Sequence, residues 1–398
     1  MVIMDSRYQD LVRAVDGYAA TGQPLVGLAP GEPSPGFAGT LFAAGYSDDL
    51  GSYAFIPLIA RLLDVSLDQA ITIFFVGIIG LSTLLGLVGS WLLFRRWPER
   101  LMLAFGIAFL VYRSLRIGDV YVVPAMAVVA VLPLFLVLVT RWARSPALPL
   151  FLLVAGVGLG ASQLIRAHAA TPVILFILVL VLLAREFRWT QRLGLMASLA
   201  VGVLIPLLAM QLLVAQRDRY LHAHEPRYEE RGASHPLWHP AYVGLGFLDN
   251  RYDIRWDDSV AAEAAKRIDP EAPYLSARYD AALKQAVLTL VRTDPLFILT
   301  TLAAKLGVLG LYFLLLANLG LLASLLFPKP IAVEWAFWPA IGFAALPALV
   351  ALPVAPYFMG LAALAVLYGA LSLAHAVSVW RTGGRPQWPR YQSRSVTL

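Results

Sequence analysis

Two adjacent carboxylates, Asp48 and Asp49, stand between a Gly-Tyr-Ser turn and the apolar stretch SYAFIPLIARLL. Carboxylates at a partly desolvated edge, with a like charge beside them, are pushed toward protonation near neutral pH. A group so poised can take the proton of an attacking hydroxyl, which is the work of a general base. Asp49 is the favoured base. Asp48 would then orient the attacking group or bind a divalent cation such as Mg or Mn. The plainer alternative is that the pair caps the helix that follows, since Asp is favoured at helix N-termini.

The surroundings decide what kind of chain holds this pair. Hydrophobic residues make up 59% of it and charged residues 14%, with a mean hydropathy of +0.72. A soluble domain carries about 25% charged residues. The apolar residues come in runs near ~20, the length that crosses a ~30 Å hydrocarbon core as a helix. The expected fold is therefore all-α: a polytopic transmembrane bundle with one long extracytoplasmic loop domain. Nine spans are expected, at about 69–94, 100–113, 120–140, 147–163, 173–185, 193–215, 296–327, 331–352 and 357–380. Ser66-Leu67-Asp68-Gln69 reads as a capping box opening the first of them. The run at 296–327 exceeds one span and is expected to begin as an interfacial helix, with Thr293-Asp294-Pro295 supplying the cap and a first-position proline. SYAFIPLIARLL is too short to cross and is expected to lie along the interface.

Residues 1–68 form an N-terminal segment, 69–215 carry spans one to six, 216–294 form the long loop, 295–380 carry the last three spans, and 381–398 are a tail. Within the long loop, SVAAEAAKRI and SARYDAALKQAVLTLVR read as two helices separated by DPEAP, with Asp258-Ser259 capping the first. Alternate connections hold 13 basic residues on one side and three on the other. The positive-inside rule makes the first set cytoplasmic and places Asp48-Asp49 and the long loop together outside. Of 25 acidic residues, 21 fall in the two outer segments. The net charge of +6 is thus explained by orientation, and nucleic acid is not expected as a partner. With no cysteine, thiol chemistry and Cys-based metal sites are excluded.

This pattern resembles the GT-C superfamily, polytopic glycosyltransferases that take sugars from lipid-phosphate donors. Tyr46-Ser47-Asp48-Asp49-Leu50-Gly51-Ser52-Tyr53 matches that family's acidic first external loop, and SYAFIPLIARLL its interfacial helix. The loop HPLWHPAYVGLGFLDNRYDIRWDD is similar to bacterial members of this kind. The resemblance implies an inverting transfer from a polyprenyl-phosphate sugar to a glycan, lipid or protein acceptor at the outer face of a bacterial inner membrane. The family's plan has a helix before the acidic loop. None precedes it here, and translocating ~68 outer residues without one leads to the expectation of a further amino-terminal helix, the alternative being that residues 25–45 enter the membrane irregularly.

A leaving phosphate needs cations or N–H donors. Arg113, Arg116, Arg166 and His168 are the candidates in the short outer loops, and His235, His239, Arg251 and Arg255 in the long one. Trp238 and Tyr242 offer stacking faces beside them. Lys305 could reach a phosphate from the seventh run. Arg113 and Arg116 stand three apart and could face one cavity or snorkel to lipid headgroups, and Asp119 is expected to pair with one of them. His235 and His239 do not form a zinc pair, because Pro236 and Pro240 argue against the helix that i and i+4 ligands need. No metal ligand set is assigned. Two other functions compete: a lipid-linked glycan ligase of the O-antigen type, suited by the histidine loop, and a transporter or flippase. The span interiors are almost free of charge, which disfavours transport.

Overall fold

The computed structural model describes residues 5–45, 49–226, 228 and 237–382. The chain opens with α1 (Asp5–Thr21), followed by an antiparallel pair, β1 (Val26–Ala29) and β2 (Thr40–Ala43), in the register Val26 opposite Ala43. Arg7, Leu11 and Ala14 fall at i, i+4 and i+7 on one face of α1, and that face turns inward. The two strands are the departure from the all-α expectation. Residues 25–45 fold as this hairpin, whose Val26 and Leu41 are covered by Leu221 near the end of a long helix described below.

The apolar runs follow as helices: α2 (Leu50–Leu63), α3 (Leu67–Leu93), α4 (Trp97–Ile117), α5 (Val123–Arg141), α6 (Ala147–Ile165), α7 (Thr171–Leu183) and α8 (Trp189–His224). The polar loop holds α9 (Trp238–Gly244), α10 (Asp258–Ile268) and α11 (Ala277–Thr293). The chain returns through α12 (Pro295–Ala317), α13 (Leu319–Leu326), α14 (Ile331–Val350) and α15 (Met359–Arg381). Among the described residues seven helices are long and apolar enough to cross a membrane. Each of the nine apolar runs is helical, but α4 and α7 fall outside those seven. Leu81, Phe105, Leu150, Leu212 and Leu314 are more than half exposed around the bundle. Such a belt would be a liability in water and costs nothing against lipid tails.

Local signals set the boundaries as the sequence predicts. Gln69 N–H donates to Ser66 Oγ at 3.3 Å, and Ser66 N–H donates to the Gln69 side chain at 3.0 Å, completing the capping box. Phe297 N–H donates to Asp294 Oδ1 at 3.2 Å with Pro295 at the first helical position. The long 296–327 run differs from expectation: no separate helix opens it. α12 begins among the loop helices, with Phe297 and Ile298 packed on their core, and the break comes later at Asn318, whose φ is +49°. α10 is capped by Asp257, one residue before the pair expected, with Ser259 N–H donating to it at 2.8 Å.

α6 and α8 pack closely on one another. Gly156, Gly160 and Gly202 let the backbones touch: a Cβ on Gly202 would come within 2.2 Å of the Leu153 carbonyl, and one on Gly160 within 2.4 Å of the Val203 carbonyl. Small residues four apart are how helices associate where hydrocarbon removes the hydrophobic drive. Gly202→Leu should therefore destabilise the solubilised protein by about 1–3 kcal/mol, read as a lower unfolding midpoint in detergent, whereas Gly194→Leu, where a Cβ meets nothing within 4 Å, should leave the midpoint unchanged.

Candidate functional site

Gly118 ends α4 in the left-handed conformation, φ +62°, and turns the chain sharply into Asp119. Asp119 is 3% exposed and caps the short 3-10 turn Val120–Val122, its Oδ1 accepting from Val120 N–H at 2.6 Å. Asp49 precedes α2 at its N-cap position, 1% exposed, yet its side chain makes no capping hydrogen bond. Both carboxylates are bridged by one guanidinium. Arg7 Nε donates to Asp49 Oδ2 at 2.8 Å and Arg7 Nη1 to Asp119 Oδ2 at 2.6 Å. Burial by itself would lower the Arg7 guanidinium pKa. The charges of Asp119 and Asp49 outweigh that and push it up, so the arginine is locked as a cation.

The bridge corrects two expectations. The charge Asp49 meets is a cation, not only a like-charged neighbour, and Asp119 pairs with Arg7 rather than with Arg113 or Arg116. Sequence reasoning missed Arg7, although its place on the Leu11–Ala14 stripe of α1 marks it as inward-facing. The capping role proposed for the pair is not performed by the Asp49 side chain. Asp48 and His235 lie outside the described residues.

From this bridge an aromatic seam runs to the loop domain. The Arg7 guanidinium stands 5.9 Å from the Tyr121 ring centre, and Arg166, which ends α6, stands 4.7 Å from the same ring. Tyr121 packs edge-on against Tyr357 at 5.2 Å, and Tyr357 against Trp256 at 5.7 Å. Burial drives the Tyr357 phenol well above its ordinary pKa, so it stays protonated. Two guanidiniums thus flank Tyr121, one of them carrying both carboxylates, and the loop domain meets this seam through Trp256.

The other candidates are placed apart or are already engaged. His239 sits between Tyr279 and Asp258: Nδ1 lies 2.7 Å from the Tyr279 hydroxyl and Nε2 lies 3.1 Å from Asp258 Oδ1. The neutral tautomer that satisfies both donates from Nε2 and accepts at Nδ1. The hydrogen bond from His239 holds Asp258 below the usual carboxylate range. Trp238 N–H donates to Asp280 at 2.9 Å, and Tyr242 is buried in the loop-domain core. Arg251 bonds Tyr252 and the helix-capping Asp294, and Arg255 pairs with Asp253 at the surface. Lys305 is 1% exposed and spends its three protons on the carbonyls of Leu349, Val350 and Ala351, capping the end of α14. Arg116 lies exposed on its own Tyr112, Arg113 is half-buried, and exposed His168 turns its ring to Phe343. Of the candidate cations, Arg166 is the one whose ring contact, to Tyr121, joins it to the bridged carboxylates. Among the described residues no cluster of three His, Asp or Glu side chains offers a metal cage.

Removing the shared cation leaves two buried carboxylates without it. Arg7→Gln should cost about 3–5 kcal/mol, and adding Asp119→Asn should recover part of that loss in a double-mutant cycle. Unfolding midpoints of the detergent-solubilised variants check both. No family model matches the chain, and neither a curated protein nor a solved structure resembles it at a significant level, so the chemistry of the site is read from its own geometry.

Proposed function

We propose that the chain is an integral-membrane glycosyltransferase that moves a sugar from a polyprenyl-phosphate donor to an acceptor hydroxyl at the outer face of the membrane. The observation that carries this reading is the pair Asp49 and Asp119, buried where the apolar bundle meets the loop domain and held by Arg7 beside Arg166 and Tyr121. An apolar bundle ending in ionised groups suits a substrate that is hydrocarbon at one end and phosphate at the other.

In this reading the acceptor oxygen attacks the anomeric carbon as the bond from that carbon to the phosphate oxygen breaks. The bonding pair leaves with the phosphate, and the acceptor's proton passes to Asp49. Single displacement inverts the anomeric centre. Arg7 orients the Asp49 carboxylate through Oδ2. Arg166 supplies positive charge for the leaving phosphate. Asp119, with both oxygens engaged, positions Arg7. The 13-to-three distribution of basic residues supports a site that faces outward.

Polyprenyl lipids of cells carrying wild type or Asp49→Asn, at equal levels of monodisperse protein, test the reading by mass spectrometry. Loss of general-base catalysis should slow transfer by about 10²–10⁴-fold and let a polyprenyl monophosphate sugar accumulate. Accumulation of a pyrophosphate-linked glycan would instead favour the ligase. Identical lipid profiles would remove Asp49 from the chemistry.

A further inference from the structure

At the end of the bundle opposite Asp49, a cavity of about 740 Å³ opens between α5, α7, α14 and α15. One flank is apolar, built by Leu136, Val139, Leu180 and Ile331, and the rim carries Arg144, Arg185 and Glu186. Several arginines at this end are spent on the fold. Arg100, Arg141 and Arg192 donate to the carbonyls of Phe94, Leu93 and Ala184, finishing helix C-termini. Lys329, in the cavity wall, is likewise consumed: its ammonium bonds Ser372 at 2.5 Å, pairs with Glu334 at 2.7 Å and lies 4.0 Å from the Tyr368 ring. Arg144 and Arg185 are different. Both are exposed, neither has a partner among the described residues, and both face the same cavity.

We propose that this cavity binds the phosphate headgroup of an anionic membrane lipid, with Arg144 and Arg185 on the phosphate and the upper chain along the apolar flank. Two free guanidiniums against the single carboxylate of Glu186 leave the rim positive. The planar fork of arginine matches phosphate oxygens two at a time. Leu183 and Ile331 of the cavity lining are themselves exposed apolar side chains, which suits a lipid better than a soluble anion. The tail at 383–398, the other occupant within reach in sequence, carries three arginines and no acidic side chain, so its charge opposes the rim. The inference is independent of the reaction proposed at the other end.

The test is a native mass spectrometry titration of the full-length protein with dioleoylphosphatidate, with dioleoylphosphatidylcholine as the neutral reference. Arg144→Ala/Arg185→Ala should bind phosphatidate roughly 30-fold more weakly, the loss expected from two basic contacts. Arg95→Ala/Arg96→Ala removes two exposed arginines of the same end that do not line the cavity, and should leave binding unchanged. Equal weakening by both double variants would show a diffuse surface charge and overturn the site. Unaltered phosphatidate binding by the cavity variant would do the same. Displacement of the lipid by millimolar inorganic phosphate would overturn the lipid as occupant.

Discussion

One guanidinium holds the head of this molecule together. Arg7 belongs to α1, Asp49 to the start of α2 and Asp119 to the turn between α4 and α5, separated from Arg7 by 42 and 112 residues. A buried bridge of this kind contributes little net stability, because desolvating three charges offsets most of their attraction. Its value is positional. A helix of mixed polarity such as α1 would slide on an apolar surface, whereas a two-toothed contact to two carboxylates fixes both its register and its direction.

The bundle manages its other buried cations by the same logic with different partners. Lys305 is tolerated inside an apolar helix because three terminal carbonyls of α14 surround its ammonium, where the negative end of the helix dipole also favours it. Lys329 is neutralised by Glu334 and packed on Tyr368. Each of these two cations is matched at short range, one by carbonyls and the other by a carboxylate. Arg144 and Arg185 differ from these in being exposed on one shared cavity, and the seam Tyr121–Tyr357–Trp256 joins the loop domain to the bundle through aromatic edges.

What could be read from the sequence was local. The apolar runs, the Ser66–Gln69 box, Asp294-Pro295 and the two loop helices depend on residues within a few positions of one another, and they appear as expected. The break at Asn318 and the strand pair were not legible, since the first depends on a single residue inside a uniformly apolar run and the second on short segments of mixed polarity. The site was half legible. Asp49 announced itself by charge at a membrane edge, but its partner did not, because pairing over 42 residues leaves no spacing to read. Asp119 was seen beside Arg113 and Arg116, and sequence proximity suggested the wrong cation. The histidine and tryptophan of the long loop drew attention as ligands, although His239 holds Tyr279 and Asp258 and so serves the loop's own packing.

The two carboxylates on Arg7 are not equivalent, and the difference separates the roles proposed for them. Asp119 has committed Oδ1 to the Val120 N–H and Oδ2 to Arg7, so any proton it took would cost one of two short hydrogen bonds and loosen the turn it caps. Asp49 stands at a helix N-cap without using its side chain to cap, which frees the helix start from dependence on its charge. Protonating Asp49 would weaken one contact of Arg7 while the Asp119 contact still held the guanidinium in place. In the proposed reaction the base must change charge during each turnover without dismantling its surroundings, a requirement that favours Asp49 over Asp119.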